Sequence, residues 1–240
     1  MTTLTSPHRH LTPEAVPGRV DPATVTRLLR DGALSQDGDR CRHIAQDAIA
    51  MGLAPATIVD HCIGEAARQL GIMWTEDEAG FAQVTIGTAR LQSVLRHLEQ
   101  DLNILQPARG RAVVIVNPHG MQHTLGAATV ATQMRRQGIA VSLMLDARPE
   151  DLRRLLSQST SDAVFLAATS VQGLEILRSF ADVVRNEAPD VPVVVGGLAL
   201  CLTRFTRDQT GADHVTSDLD EALDLCGLRT MHDAPRAALI

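Results

Sequence analysis

The sequence predicts an α/β protein in which an N-terminal four-helix bundle precedes a doubly wound domain of five parallel strands, flavodoxin-like or Rossmann-like in type. Two observations predict this. From residue 22 to residue 105 the apolar residues recur at the spacing of one helix face. From residue 110 to residue 228, short runs rich in β-branched residues alternate with helical segments, as in consecutive βαβ units. The two patterns meet at "QPARG", residues 106–110, so we expect a domain boundary there.

The N-terminal half contains four segments of helical periodicity joined by short loops, which is typical of a helical bundle. The first segment starts after Asp21-Pro22, a pair that favours the beginning of a helix. The predicted helices span residues 24–31, 38–51, 54–73 and 81–102. Pro, Thr and His are frequent in residues 1–21, and residues 229–240 show no clear pattern. We therefore expect a mobile N-terminal arm and a C-terminal tail.

The C-terminal half supplies the strands and helices of the second predicted domain. Strands are predicted at residues 111–116, 140–145, 162–168, 191–197 and 212–217. Helices are predicted at residues 125–137, 149–157, 173–186, 204–210 and 219–225. Because the strands are continuous apolar runs, we expect both faces of the sheet to be buried. A flavodoxin-like strand order, 2-1-3-4-5, places ligands beyond the carboxyl ends of strands one and three.

The composition limits the classes of function. No apolar run reaches the roughly 18–20 residues that span a bilayer, and the N-terminus lacks a signal peptide's apolar segment. We therefore predict a cytoplasmic protein with no membrane partner. The net charge of −6 argues against direct binding to nucleic acid. The four cysteines form no CxxC motif, so neither a disulfide framework nor a zinc site is indicated. With one Trp, four Phe and no Tyr, a response to visible light would need a bound chromophore.

The stretch "NPHGMQHTLG", residues 117–126, is the candidate binding loop because it joins the first predicted strand to a helix. It contains neither GxGxxG nor GxxxxGK[ST], so its glycines do not match a dinucleotide or phosphate loop. His119 and His123 supply two ligands, whereas a bare zinc or iron site needs three or four. A tetrapyrrole-like cofactor brings four equatorial nitrogens of its own and needs only one imidazole. The loop therefore favours the tetrapyrrole-like cofactor.

Polar and glycine residues also follow the other strands that end at the same predicted edge of the sheet. With the loop histidine, these residues are His123, Thr169, Ser170, Gly173, Gly196 and Gly197. Glycines leave room wherever a bulky group lies against the backbone. The set thus combines one axial imidazole with the space that a large cofactor requires.

The segments "HTLG", "TSV" and "GG" resemble the DxHxxG…SxL…GG signature of methionine-synthase-type cobalamin-binding domains. The resemblance implies that His123 is the lower axial ligand of cobalt, in place of the cofactor's own dimethylbenzimidazole. It also implies that the displaced nucleotide tail lies in a crevice beside strand one. The residues expected to contact the cofactor there are Thr124, Gly126, Thr169, Ser170, Gly173, Gly196 and Gly197.

The stretch "LGIMWTEDEAGFAQVTIGTARLQSVL", residues 70–95, resembles the helical cap domain that precedes such cobalamin domains. In that family the cap covers the upper face of the corrin, with a tryptophan near the upper ligand. The resemblance therefore implies that Trp74 contacts the cofactor. The predicted domains are the arm at 1–21, the cap at 22–105, the cobalamin domain at 110–228 and the tail at 229–240.

Two departures from the family pattern indicate the kind of member. Met121 stands where methyl-transferring enzymes carry the aspartate that hydrogen-bonds the ligand imidazole, which favours a sensor with no catalytic residues over an enzyme. Adenosylcobalamin-dependent light-responsive repressors carry a Glu-His pair where this chain has Val84 and Thr85. They also carry a DNA-binding domain, for which the roughly 20 residues before the first predicted helix are too few.

The remaining pattern, a cap plus a cobalamin domain, resembles the short antirepressor proteins of photosynthetic bacteria, the AerR/PpaA type. That resemblance implies light-dependent binding of cobalamin, with the hydroxo or aquo form favoured and the adenosyl or methyl form as alternatives. It also implies contact with a transcriptional repressor of photosynthesis genes. A corrinoid carrier protein of a methyltransferase system and a haem-binding redox sensor are the alternative functions. His119 and His97 are candidate second ligands of the metal.

Overall fold

The computed structural model describes residues 20–102, 111–121, 123–168, 173–197, 200 and 206–229. The chain divides into two compact units, Met1–Leu102 and Asn103–Ile240. The predicted N-terminal arm, apart from its last two residues, and the predicted C-terminal tail, apart from Arg229, lie outside the described residues.

The N-terminal unit is helical, as the sequence predicts. Within the described residues its helices are α1 (Pro22–Ala33), α2 (Arg40–Ala50), α3 (Pro55–Thr57, Ile58–Ile63 and Gly64–Thr75 in one continuous run) and α4 (Phe81–Asp101). Helix α1 begins at Pro22 because the Asp21 carboxylate accepts hydrogen bonds from the backbone N–H groups of Ala23 and Thr24, each at 3.2 Å. These bonds, that of Ala23 first, lower the pKa of Asp21. The helix is longer at both ends than the predicted 24–31.

The middle of α3 is a π-helical segment, Ile58–Ile63, which the sequence pattern did not predict. Its apolar side chains Ile58, Val59, Cys62 and Ile63 are all fully buried. The wider turn of a π-helix shifts which residues face the core relative to an α-helix. The Cys62 thiol donates to the carbonyl of Pro22 at 3.5 Å, which joins this segment to the start of α1, and burial raises the pKa of that thiol.

The bundle is closed by a close approach of α4 to the end of α1. A Cβ added to Gly87 would lie 3.3 Å from the Cβ and the carbonyl oxygen of Ala33, which is closer than ordinary van der Waals contact. Arg90 donates from Nη1 to the carbonyls of Ala33 at 2.8 Å and Ser35 at 2.5 Å. Those bonds satisfy carbonyls that the end of a helix leaves without intrahelical partners.

The C-terminal unit contains a five-stranded parallel sheet, counted over the residues that the structure describes. Its strands are β1 (Ala112–Pro118), β2 (Ala140–Ala147), β3 (Ala163–Ala167), β4 (Val193–Gly196) and β5 (His214–Val215). The spatial order is β2-β1-β3-β4-β5, and every pair is parallel. The predicted fold class and strand order are confirmed.

Helices cover both faces of this sheet. Among the described residues they are α5 (Leu125–Arg136), α6 (Pro149–Gln158), α7 (Leu174–Glu187), α8 (Arg207–Thr210) and α9 (Leu219–Leu225). One face packs Val114, Val116 and Leu166 against α6 and α7, with Phe180 and Leu177 fully buried. The other face packs strand residues against α5 and α9. Because the strands run parallel, their carboxyl ends meet at one edge of the sheet, where a doubly wound fold binds ligands.

None of the helices in the described segments is long and apolar enough to cross a bilayer.

The two-sided burial of the sheet leads to a stability prediction. Leu177→Ala removes a side chain with 0% exposure from α7 and should lower the free energy of unfolding of the C-terminal unit by about 2–5 kcal/mol. Leu145→Ala on β2 is the matched control, because this leucine is 48% exposed and its loss should cost less than about 1 kcal/mol. Urea unfolding followed by far-ultraviolet circular dichroism measures both. Equal losses for the two variants would contradict the assigned packing.

Candidate functional site

An apolar cavity of about 100 Å³ opens among the carboxyl ends of the central strands. Ile115, Phe165 and Val194 form its floor, from β1, β3 and β4, and Val130 of α5 and Ala222 of α9 form part of its walls. The remaining residues that line it are Gly126, Ala127, Leu166, Ala167, Gly196, Gly197, Thr216, Ser217, Asp218 and Leu219. The cavity therefore joins an apolar interior to a few hydroxyl and carboxylate groups that follow β5.

Three of the predicted site glycines, Gly126, Gly196 and Gly197, meet at this cavity. A Cβ added to Gly126 would meet no atom within 4 Å, so the absent side chain leaves open space beside the cavity. A Cβ on Gly196 would lie 3.1 Å from the carbonyl oxygen of Thr216. Gly197 has φ of +121° and a Cβ there would lie 2.7 Å from the carbonyl oxygen of Ala168. Gly197 is thus required by the backbone, whereas Gly126 keeps space free.

His123 lies just before α5, three residues ahead of Gly126, and its side chain is exposed. Within the described part of the chain its imidazole makes no hydrogen bond or ion pair. Thr124 is the half-buried residue that precedes α5, and its carbonyl accepts a hydrogen bond from the Ala128 N–H at 3.0 Å. The imidazole and the cavity therefore lie on the same edge of the sheet, one helical turn apart in sequence.

The first part of the loop is attached to the end of β2. His119 places Nδ1 2.8 Å from Oδ1 of Asp146, and the same oxygen accepts from the Gly120 N–H at 3.0 Å. The backbone N–H of His119 donates to the carbonyl of Ala147 at 2.7 Å. The Gly120 hydrogen bond, followed by the His119 imidazole, lowers the pKa of the exposed Asp146 carboxyl. His119, predicted as an auxiliary ligand, therefore has one nitrogen engaged with a carboxylate.

The buried side chain of Asn117 is hydrogen-bonded to the loop that follows β1. Asn117 is a fully buried polar residue at the end of β1, and its Nδ2 donates to the carbonyl of Met121 at 2.5 Å. Its Oδ1 has no hydrogen-bond partner among the described residues. The Met121 side chain extends over Gly173, where its Cε lies 2.2 Å from the position that a Cβ of Gly173 would occupy. The space at Gly173 is thus taken by Met121, and a cofactor contact there stays a prediction.

Two predicted contacts, Thr169 and Ser170, fall in the segment after β3 that lies outside the described residues. Trp74 lies in the last turn of α3, in the N-terminal unit, and is 45% exposed. It makes an edge-on ring contact with Phe81, with ring centroids 6.3 Å apart. His97 lies half-buried on α4. The structure therefore brings Gly126, Gly196 and Gly197 together and leaves the roles of the other predicted residues as predictions.

Sequence reasoning did not single out Asn117, Asp146 or the Thr216–Asp218 segment. Asn117 and Asp146 are polar residues at the ends of apolar strands, and Thr216 directly follows β5. Because ligands bind at the carboxyl ends of parallel strands, the location of these polar residues at strand ends could have marked them as candidates. Within the described residues no group of three or more His, Cys, Asp or Glu side chains lies close enough to hold a metal ion.

Comparison with known proteins identifies the family. Residues 111–224 match the model of a B12 binding domain, and residues 25–99 match a second model, also described as a B12 binding domain. A protein of Rhodobacter capsulatus, described as an uncharacterized 20.5 kDa protein in the bchF-crtJ intergenic region, is 36% identical over 162 residues. That match covers 66% of this chain and 84% of the relative.

The chain belongs to the B12-binding proteins. Among solved structures, the monomethylamine corrinoid protein of Methanosarcina barkeri resembles it with a TM-score of 0.73 and 15% identity. The likeness covers 87% of this chain and 99% of that protein, and it shows a shared fold. The two B12-binding segments coincide with the helical unit and the sheet unit described above. The predicted cobalamin family is confirmed.

The residues present fit a B12 cofactor. Gly126 leaves open space beside an apolar cavity that a nucleotide base could enter, and the nearby His123 imidazole is exposed. Membership of the B12-binding proteins identifies cobalamin as the cofactor class.

The two glycine environments lead to opposite expectations for alanine. Gly197→Ala should destabilise the C-terminal unit by about 1–3 kcal/mol, because it forces a side chain into a positive-φ conformation and against Ala168. Gly126→Ala should change stability by less than about 1 kcal/mol, because its new methyl group meets no atom and alanine favours a helix. Urea unfolding measures both variants. A Gly197→Ala protein as stable as the Gly126→Ala protein would show that the close contact is absent.

Proposed function

We propose that this B12-binding protein is a light-responsive antirepressor, which binds cobalamin through His123 and acts by contact with a transcriptional repressor of photosynthesis genes. The observation that carries the proposal is the exposed His123 imidazole, three residues before Gly126 of the glycine-lined cavity, with no carboxylate at position 121. The relative in the bchF-crtJ intergenic region of Rhodobacter capsulatus, a photosynthesis gene region, supports the regulatory part.

In this proposal a ring nitrogen of His123 would bind cobalt in place of the cofactor's own base. The nucleotide tail would lie in the cavity between α5 and the strand ends, where Gly126 leaves room for it. When bound, the cofactor supplies a visible-light chromophore and a cobalt centre that can exchange its upper ligand. The hydroxo or aquo form is the favoured one.

Met121 supports a sensor over a methyl carrier. A thioether is a weak acceptor, so it cannot hold the imidazole N–H as a carboxylate does. The Met121 side chain is instead packed over Gly173. The matching solved structure is that of a corrinoid protein, but at 15% identity it supports the fold alone. A corrinoid carrier for a methyltransferase system is the second candidate, because the fold is common to both.

The signal would pass as a population shift between two states of the protein. Trp74 is the proposed contact of the upper ligand, and its aromatic face is accessible together with that of Phe81, which is 64% exposed. The cofactor would supply the light-dependent ligand exchange, and this aromatic pair would respond to it. The repressor would then bind one state more tightly than the other, which is the requirement for a ligand to shift a conformational equilibrium.

The cofactor assignment predicts that the purified protein retains hydroxocobalamin after desalting and that His123→Ala loses the imidazole-ligated absorbance spectrum. The reason is that His123 supplies the lower nitrogen ligand in the proposal. Hydroxo-, methyl- and adenosylcobalamin and haem are added separately in darkness and in light, and spectra are recorded after desalting. His43→Ala, an exposed histidine on α2, is the matched control and should leave retention unchanged.

Each other result has a defined meaning. If no corrinoid is retained under any illumination, the proposed function fails. If haem alone is retained, the redox-sensor alternative replaces it. A methyltransferase that removes the methyl group of bound methylcobalamin would favour the carrier.

The proposed antirepressor activity predicts that the cobalamin-loaded protein changes the affinity of the repressor for its operator DNA. A light-dependent shift in repressor–DNA affinity of at least about fivefold is expected for a coupling of about 1 kcal/mol. The measurement is fluorescence anisotropy of labelled operator DNA with repressor, with and without the loaded protein, in darkness and in light. Trp74→Ala should reduce the difference between dark and light, and the absence of any effect by the wild-type protein would contradict the antirepressor assignment.

A further inference from the structure

We propose that Asp146 is a positioning residue for His123, because its carboxylate holds the loop that presents the imidazole. The inference rests on the proposed function, since His123 is the ligand that it positions. Asp146 lies at the end of β2, 26 residues from Gly120 in the chain. No local sequence pattern therefore reveals the contact between them.

Two successive loop residues, His119 and Gly120, are hydrogen-bonded to the same oxygen of Asp146, and we call this pair of bonds the anchor. Asp146 Oδ1 lies 2.8 Å from His119 Nδ1 and 3.0 Å from the Gly120 nitrogen. The His119 N–H adds a third link, to the carbonyl of Ala147 at 2.7 Å. These three bonds attach the loop to the edge strand at the point where the β1–β2 register shifts, between Val116 and Pro118.

The backbone of Asp146 is held in an uncommon conformation that aims this carboxylate at the loop. Its φ is 55°, in the left-handed region, where Asp and Asn are tolerated better than other residues with a Cβ. Among the described non-glycine residues only Asp77 shares a positive φ. The combination of a left-handed backbone and two bonds to the loop therefore defines a built contact.

Fixing Gly120 restricts His123, because only two residues lie between them. On the inner side, Asn117 donates to the Met121 carbonyl at 2.5 Å and the Met121 side chain is packed over Gly173. The segment from His119 to Met121 is therefore fixed on both sides, and it ends two positions before the candidate ligand His123. A ligand held in its binding position before the metal arrives binds more tightly, because less freedom is lost on binding.

This arrangement supplies from a neighbouring strand a carboxylate that position 121 lacks. Met121 cannot orient an imidazole by hydrogen bonding. Asp146 is bonded to His119 and to the Gly120 backbone, so its effect on His123 passes through the position of the loop. Asp146 would thus fix the position of the His123 imidazole through the loop, without itself accepting a hydrogen bond from the imidazole N–H.

Two substitutions separate anchoring from backbone conformation. Asp146→Asn keeps an oxygen acceptor for His119 and Gly120 and tolerates the left-handed backbone. Asp146→Gly also tolerates this backbone but removes both bonds. Asp162→Gly is the matched control, because Asp162 is an exposed aspartate that accepts from the Ala112 N–H at 2.6 Å, at the opposite end of β1. The full chain is used throughout.

The measurements are the Kd for hydroxocobalamin by absorbance titration, amide hydrogen exchange of Gly120, and the His123 ring resonances of the ligand-free protein. We expect Asp146→Gly to raise the Kd by about 10–100-fold, as for losses of groups that orient metal ligands. In the same variant, exchange of the Gly120 amide should accelerate and the His123 resonances should shift. Asp146→Asn and Asp162→Gly should stay within about threefold of the wild-type Kd.

Several outcomes would overturn the inference. One is a wild-type Kd in Asp146→Gly although the Gly120 amide exchanges faster. Equal weakening in Asp146→Asn and Asp146→Gly would show that the negative charge acts, and not the anchor. If the wild-type protein binds no cobalamin, the proposed function fails on its own. The His123 resonances of the ligand-free variants still decide the anchoring, and unchanged resonances in Asp146→Gly would reject it.

Discussion

Strand β1 forms hydrogen bonds with β2 on one side and with β3 on the other, and the candidate site depends on this central placement. The loop that follows β1 begins between the ends of its two neighbours. Asp146 reaches it from the β2 side, and Gly173, beyond the end of β3, accommodates Met121. The same pairing aligns Ile115 with Phe165, and these two residues form the floor of the cavity. A strand order in which β1 did not lie between β2 and β3 would separate the loop from Asp146 and Gly173.

The sequence was sufficient for the architecture because the relevant signals are local. Continuous apolar strand runs, helical periodicity and the Asp21-Pro22 helix start each depend on a few adjacent residues. Two glycines that line the cavity were also predictable, since β4 ends at Gly196, Gly197 follows it directly, and parallel strands end together. The π-helical segment was not, because its apolar residues fit an α-helical pattern closely enough to conceal an extra residue in one turn.

The contacts that shape the loop were beyond sequence reasoning because they join residues far apart in the chain. Asp146 with Gly120 and Met121 with Gly173 depend on side-chain directions that no local pattern encodes. Gly173 illustrates the difference. Its position after strand three predicted space for a cofactor, whereas the structure fills that space with a methionine from the neighbouring loop. Which of two candidates occupies a gap is a matter of packing, and packing appears only in three dimensions.

Trp74 has a consequence for how the protein interacts with ultraviolet light. It is the single tryptophan in a chain without tyrosine, so nearly all near-ultraviolet absorption and emission of the polypeptide comes from one indole. That indole is 45% exposed and in edge contact with Phe81. A coloured cofactor close to it would accept its excitation energy and extinguish its fluorescence. The fluorescence of Trp74 would therefore report how close a coloured cofactor lies to the helical unit, without a contribution from tyrosine or from a second tryptophan.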